Sequence, residues 1–154
     1  MPPLIYTLGG VTIDDIVHYD TGKAYFGTPG GNAVFSAIGT KVWGGQPHIL
    51  ARVGTDYPQE AIRRIREGGI VLHLIQVPYP AAHTWTLYEA GGLRQFVGHL
   101  TSCGPYEMAI TGPEIPDQHL NGDGYHIAST FSDIQLTIVE RLRTAGRVFT
   151  LDPH

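Results

Sequence analysis

Apolar residues in this chain gather in short runs separated by glycine-rich turns, and the runs alternate between a strand period and a helix period. Leu4-Ile5-Tyr6-Thr7-Leu8 is a continuous β-prone run closed by Gly9-Gly10, the pattern of a buried strand entering a tight turn. Val11-Thr12-Ile13-Asp14-Asp15-Ile16-Val17 follows, with two carboxylates set into an apolar stretch just past the end of that strand. Residues 20–31 turn polar and glycine-rich, with an alternating patch at 23–26 that reads as a short hairpin or edge strand. Residues 32–43 have helical spacing: Val34, Ile38 and Val42 fall on one face with Ala33 and Ala37 beside them, and Gly44-Gly45 ends the run. Gly39 inside it lowers helix propensity by up to ~1 kcal/mol, which points to close packing against a sheet.

The alternation continues. Residues 48–54 read as a strand, and Asp56-Tyr57-Pro58 as a helix start that turns Ala61, Ile62 and Ile65 inward and Arg63, Arg64 and Arg66 outward, up to Gly68-Gly69. Residues 70–77 read as another strand. Thr84-Trp85-Thr86-Leu87-Tyr88 then alternates with period two, Glu89-Ala90-Gly91-Gly92 supplies a turn, and 93–97 is a second arm, predicting a hairpin inserted across a sheet edge. After loop-like residues 98–123, 125–128 reads as a strand. Ser132-Asp133-Ile134-Gln135 has the form of a helix capping box, Ile134, Ile138 and Leu142 make a stripe ending before Gly146, and Val148-Phe149-Thr150-Leu151 is a last strand. No internal repeat or linker divides the chain.

Composition narrows the classes. In 154 residues, 42% hydrophobic and 16% charged with a net charge of -4, there is enough apolar material for a core and too little charge for a disordered chain. Ten Lys plus Arg against fourteen Asp plus Glu leave no basic excess for a nucleic-acid partner. No apolar run approaches the ~18 residues of a membrane span, and Met-Pro-Pro-Leu-Ile-Tyr lacks the basic and apolar regions of a signal peptide, so the expectation is a cytoplasmic chain without a membrane partner. Cys103 stands alone, which excludes an internal disulfide.

Two elements carry candidate chemistry. Pro29-Gly30-Gly31-Asn32 leads into a helix, where paired glycines let backbone approach a ligand and the first helical amides point outward toward hydroxyl or anionic oxygens. It is neither a Walker A loop nor a Gly-x-Gly-x-x-Gly fingerprint, and the same letters serve an ordinary tight turn. That spacing also sets a dinucleotide-dependent oxidoreductase aside. Asp14 and Asp15 lie where open α/β sheets bind ligands, and a carboxylate there accepts hydrogen bonds from sugar hydroxyls; a solvated turn carboxylate is the alternative. Eight histidines occur with no His-Glu-x-x-His or Cys/His spacing, so no metal site is expected. Trp85, Tyr88 and Phe96 on the hairpin read equally as a ligand cover or as packing.

Taken in order, GGVTIDD, TPGGNAVFSAIGTKVWGG, ILARVGTDYP and a helix ending before GGIVL resemble the N-terminal half of the ribokinase-like (PfkB) carbohydrate kinases, and YEAGGLRQF, YHIAS and the terminal TLDPH fall where that family has a lid and its next strands. The resemblance implies an α/β, Rossmann-like, mainly parallel sheet flanked by helices, with a small β lid over about 19–27 and 84–97, truncated, residues 1–154 forming one portion of a kinase domain. It implies that Asp14, Gly30, Gly31 and Asn32 bind substrate and that Gly54 and Asp56 form a structural turn supporting the next helix. It also implies a full-length relative that moves a phosphoryl group from ATP, with Mg2+, to a hydroxyl of a sugar or nucleoside.

Two departures alter the expectation. Phe35 and Ala128 stand where family members carry asparagine and glutamate, which removes hydroxyl-binding groups and favours a nucleoside over ribose. The Gly-Ala-Gly-Asp stretch that supplies the family's anion hole and base is missing; Gly122-Asp123-Gly124 precedes a strand instead. No catalytic residue and no metal ligand is therefore assigned, and tight binding of ATP and Mg2+ is not expected of this chain. The expectations are a chain inactive alone that pairs with a missing C-terminal half, or a sugar- or nucleoside-binding module, or an assembly fragment that self-associates through an exposed sheet edge.

Overall fold

A computed structural model describes residues 1–153; His154, the last residue of the TLDPH run and of the expected domain, lies outside the described residues. In chain order the elements are β1 (Leu4–Leu8), β2 (Thr12–His18), β3 (Lys23–Gly30), α1 (Asn32–Val42), β4 (Gln46–Val53), α2 (Gln59–Glu67), β5 (Val71–Gln76), β6 (His83–Tyr88), β7 (Arg94–Gly98), α3 (Pro105–Met108), β8 (Gly124–Ile127), α4 (Ser132–Thr144) and β9 (Phe149–Leu151). They build two sheets. The first is parallel, in the order β5-β4-β1-β8-β9, and the second runs β3-β2-β6-β7.

β1 is central because it is the most continuously apolar strand: Tyr6, Thr7 and Leu8 are buried, with β4 on one side and β8 on the other. One face of the sheet is covered by α1 and α2 over a cluster containing Val34, Ile49, Ala51, Ile62 and Ile65. The other is covered by α4 and the 109–120 segment over Leu8, Leu50, Ile110, Ile127, Ile138 and Leu142. This is the helix-flanked, mainly parallel α/β architecture expected from the sequence.

Several local expectations are corrected. The buried face of α1 is Ala33, Val34 and Ala37, while Ile38 and Val42 are exposed. Small residues at the first turns bring the helix close to the sheet there, and Ile38 and Val42 flank a shallow groove beside Ile65 and Ile70. Gly39 faces open space, so it does not mark close packing. Ser132 is the first residue of α4 after an N-cap at Phe131 and makes no capping hydrogen bond. Its expected partner Gln135 is buried and donates through Nε2 to the carbonyls of Ala128 (3.2 Å) and Asp152 (2.7 Å), tying the ends of β8 and β9 together. The C-terminal run is strand only over Phe149–Leu151, paired with β8 on one side and forming an outer edge on the other.

The second sheet is wider than the two segments 19–27 and 84–97. β2, which carries both candidate carboxylates, is one of its two central strands, pairing antiparallel with β3 and parallel with β6. β3 also runs on to Gly30. Between Asp14↔Thr28 and Ile16↔Tyr25 the register shifts, so that Phe26 and Gly27 together oppose Asp15. This is a β-bulge, and Gly27 takes the left-handed conformation (φ 63) that such a position favours in glycine. Among the described residues no helix is long and apolar enough to cross a membrane.

Candidate functional site

In a parallel sheet whose chain order reverses direction, ligands collect outside the carboxyl ends of the strands at the reversal. Here β1 connects to β4 and β5 on one side, while β8 and β9 lie on the other, so the reversal falls between β1 and β8. A cleft of about 280 Å3 opens there. Its walls are Gly10, Val11 and Thr12 after β1, Gly31 and Asn32 at the start of α1, Ala82 before β6, the Pro105/Met108/Ala109 turn, and Ser129, Thr130 and Phe131 after β8. No lining side chain is charged.

Of the four residues expected to bind substrate, Gly31 and Asn32 line this cleft and Asp14 and Gly30 stand behind its rim. Asp14 is not at the end of β1 but the third residue of β2. Its Oδ1 accepts hydrogen bonds from Thr12 Oγ1 (2.8 Å) and Thr84 Oγ1 (3.1 Å), and Thr12 is itself part of the cleft wall. Gly30 is buried directly under the carboxylate. Gly31 has φ 96, and a side chain there would run into the carbonyl of Gly10 and the Cα of Val11. Glycine is therefore required at both positions, at Gly30 to make room for a carboxylate and at Gly31 to turn the chain against β1–β2.

Asn32 is a clip. Its Oδ1 accepts from the Gly10 amide (2.9 Å) and its Nδ2 donates to the Ser129 carbonyl, so one side chain fastens the β1–β2 turn and the loop after β8 to the start of α1. The amides of α1's first turn are less available than its sequence implied: Ala33 N donates to Gly10 O, and Val34 and Phe35 N both donate to Gly31 O. The departures from the family pattern are placed as well. Ala128 is buried against Gly9, where a Cβ on the glycine would lie 2.7 Å from that of Ala128, whereas Phe35 points outward and is mostly exposed.

The Val-Gly-x-Asp turn holds a different partner from the one expected. Asp56 Oδ1 accepts from the amide of Ala81 (2.5 Å), and α2 starts at an uncapped Pro58. A side chain on Gly54 would collide with Ala81, so this turn packs tightly against the connection into β6. Beside it the hydroxyl of Tyr57 is buried without a hydrogen-bond partner, and burial, followed by the negative charge of Asp14, pushes its pKa up to about 12.

No protein-family model matches the sequence. A cytidine kinase from Thermococcus kodakarensis is 23% identical over 152 residues, covering 96% of this chain and 50% of the relative. Among solved structures, a protein assigned as a ribokinase II from E. coli, in complex with ATP and Mg2+, superposes with a TM-score of 0.73 at 19% identity, over 99% of this chain and 53% of that one. An adenosine kinase from Sinorhizobium meliloti gives 0.72 at 16% identity, over 98% and 56%. The chain has the ribokinase-like fold. It spans about half the length of the relatives it matches.

Within the ribokinase-like fold, the parts that sequence reasoning missed are those contributed by sheet pairing. Thr12 and Thr84 were not singled out, although a hydroxyl two residues before Asp14 on a strand points to the carboxylate's own face. The loop 129–131 follows the strand beside β1, and only the strand order shows that it faces the β1–β2 turn. Asp15 lies on the other face of β2. Its Oδ1 accepts from the Gly27 amide (2.8 Å), and its Oδ2 lies 3.0 Å from His83 Nε2 and 3.1 Å from His99 Nε2. These two histidines are distant along the chain from Asp15, so no local spacing joins the three, and strand pairing brings them together. Gly122-Asp123-Gly124 sits at the opposite end of the sheet, where Asp123 Oδ2 accepts from the Leu4 amide (2.7 Å) and so serves the sheet.

Proposed function

We propose that this chain is the substrate-holding part of a sugar or nucleoside kinase, with Asp14, Gly30, Gly31 and Asn32 forming its binding centre. The observation that carries the reading is the Asp14 carboxylate, fixed over Gly30 by two threonine hydroxyls, one of them from Thr12 in the wall of an uncharged cleft. An ionised carboxylate accepts hydrogen bonds from two neighbouring hydroxyls at once, and the threonines orient Oδ1 so that little side-chain entropy is lost on binding. Val11, Ala82, Met108, Ala109 and Phe131 give the cleft an apolar wall suited to a planar base. A nucleoside is therefore the favoured ligand, with its ribose at Asp14, and the names of the cytidine and adenosine kinase relatives support that class.

Phosphoryl transfer needs groups that stabilise the moving charge and a residue that takes the hydroxyl proton. The cleft lining holds no charged side chain, so it does not suit the triphosphate of ATP with its Mg2+, and no transfer step is assigned to this chain. The same residues serve a binding module equally. A further polypeptide, a catalytic half or a second copy, is proposed to cover the β9 edge and the exposed Phe35, Val42 and Trp43 side of α1.

Calorimetric titration with cytidine, adenosine, ribose and fructose tests the proposal. A nucleoside should bind more tightly than free ribose or fructose, and Asp14→Asn should weaken it by at least about tenfold, about 1.4 kcal/mol. No heat of binding from any of them at millimolar concentration would sink the binding role. Sustained ATP turnover by the chain alone would overturn the division of labour.

A further inference from the structure

On the face of the second sheet away from Asp14, Asp15, His83 and His99 offer one ligating atom each, all within 4.8 Å of one another. The three come from β2, from the first residue of β6 and from the residue after β7, and the backbone fixes them: Asp15 lies opposite the Gly27 bulge, and the His99 amide donates to the His83 carbonyl (2.9 Å). The Asp15 side chain is 8% exposed, against 32% and 21% for the histidines, so the cluster is covered on the carboxylate side and reachable from the imidazole side.

The hydrogen bonding within the cluster does not close. Asp15 Oδ2 meets His83 Nε2 in an aligned hydrogen bond, whereas His99 Nε2, at 3.1 Å from the same oxygen, is shut off from solvent with no aligned partner. A buried ring nitrogen left in that condition forfeits its hydration without a hydrogen bond in return. The two rings stack with centroids 3.7 Å apart and planes 11° from parallel, and Trp85 stacks on His99. Two ring nitrogens and a carboxylate oxygen gathered this closely, one of the nitrogens unsatisfied, are the donor set of a three-ligand site with an open position for water.

We infer that Asp15, His83 and His99 form a binding site for a divalent transition-metal ion of the zinc class, pinning three strands of the second sheet together. Two imidazoles select a borderline ion over Mg2+ or Ca2+, which prefer oxygen ligands. With the ion bound, both rings would present the Nε2 lone pair and carry their hydrogen on Nδ1, so the Nε2 proton of His83 shifts to its own Nδ1 by tautomeric exchange through solvent as the ion replaces the hydrogen bond to Asp15. His83, the more exposed ring, tilts toward His99 to bring the two lone pairs together, while Trp85 holds His99 in place. The site does not depend on the ligand proposed for Asp14, since the two carboxylates have separate partners on opposite faces of β2.

The test is titration of the chelator-treated chain with Co2+, followed by visible absorption, and with Zn2+ by calorimetry. The expected result is one Co2+ per chain with the intense ligand-field band of a four-coordinate site, displaced by Zn2+. His83→Gln and His99→Gln should each weaken binding at least about tenfold, since even an outer partner of a metal ligand is worth 10–100-fold. His73→Gln, in a separate group with His48 and His119, should leave it unchanged. Circular dichroism establishes that each variant is folded, and His99→Gln leaves the Asp15–Gly27 contact in place should Asp15→Asn fail to fold. No stoichiometric binding, binding that survives both His83→Gln and His99→Gln, loss through His73→Gln instead, or a preference for Mg2+ over Zn2+ would each overturn the assignment.

Discussion

The carboxylate of Asp14 occupies the space that a side chain on Gly30 would fill: a Cβ added to the glycine would lie 2.6 Å from Asp14 Cγ. The two residues are neighbours because β2 and β3 pair antiparallel, with Thr12 opposite Gly30 and Asp14 opposite Thr28. Gly30 thus positions Asp14.

Gly30→Ala should therefore act on ligand binding more than on folding. The methyl group forces the carboxylate away from Thr12 and Thr84, and nucleoside or sugar affinity is expected to fall by about tenfold or more, while the folded state loses about 1–3 kcal/mol from overpacking. Calorimetry beside urea denaturation separates the two effects. Unchanged affinity with a large stability loss would mean that Asp14 does not touch the ligand.

Asn32→Ala should show the opposite balance. It removes one hydrogen bond to the Gly10 amide and one to the Ser129 carbonyl, both part-buried, at a cost of about 1–3 kcal/mol for the two. Denaturant midpoints measure this loss, and Asn32→Asp, which keeps only the acceptor, should fall between wild type and Asn32→Ala.

How legible these roles were in the sequence depended on what fixes each element. β1, β4 and α2 were readable because each is a local pattern ended by glycine, and β5 because it is a short apolar run between Gly69 and Pro78. The inward face of α1 was not, because which apolar residues are buried depends on how closely the sheet approaches, and Ala33 and Ala37 bury more fully than Ile38 or Val42. The capping reading of Ser132 failed for a similar reason: Gln135 finds better acceptors across space, on Ala128 and Asp152, than at its own helix end. Asp14, Gly30, Gly31 and Asn32 were visible as motif letters, but Thr84, Ser129 and the His83/His99 pair meet their partners only through strand order.

Acid should destabilise the fold through the histidines gathered around Tyr6. His48 Nδ1 and His73 Nε2 lie 2.9 Å apart, and His119 packs on His73 and bonds to the Tyr6 hydroxyl (3.2 Å). Burial, with the neighbouring His119 and His48, lowers the pKa of His73 from 6.5 to about 4, and burial lowers those of His48 and His119 as well. A folded pKa below the unfolded one means that the unfolded chain binds more protons between these values. Stability is then full above pH 6.5 and declines as the pH falls toward 4. Allowing for solvent screening, His73 should account for about 1–2 kcal/mol of that decline. Urea midpoints across this range should fall for wild type and flatten in His73→Phe; an equally steep decline in the variant would place the effect elsewhere.

Gln135→Ala should loosen the outer strand selectively. Removing the bonds to Ala128 and Asp152 costs about 1–2 kcal/mol, concentrated at β9, which has a neighbour on one side only. Hydrogen exchange should quicken at Phe149–Leu151 while β1 and β4 keep their protection, and uniform acceleration through the sheet would contradict a local tether.

The alternation of β2 sends two consecutive carboxylates to opposite sides of one thin sheet, Asp14 toward Thr12 and Thr84 and Asp15 toward Gly27, His83 and His99. A single peptide unit is then the whole distance between the proposed ligand centre and the histidine cluster. The Gly27 bulge keys this arrangement, because a slip of one residue would exchange the two carboxylates and leave neither with its partners.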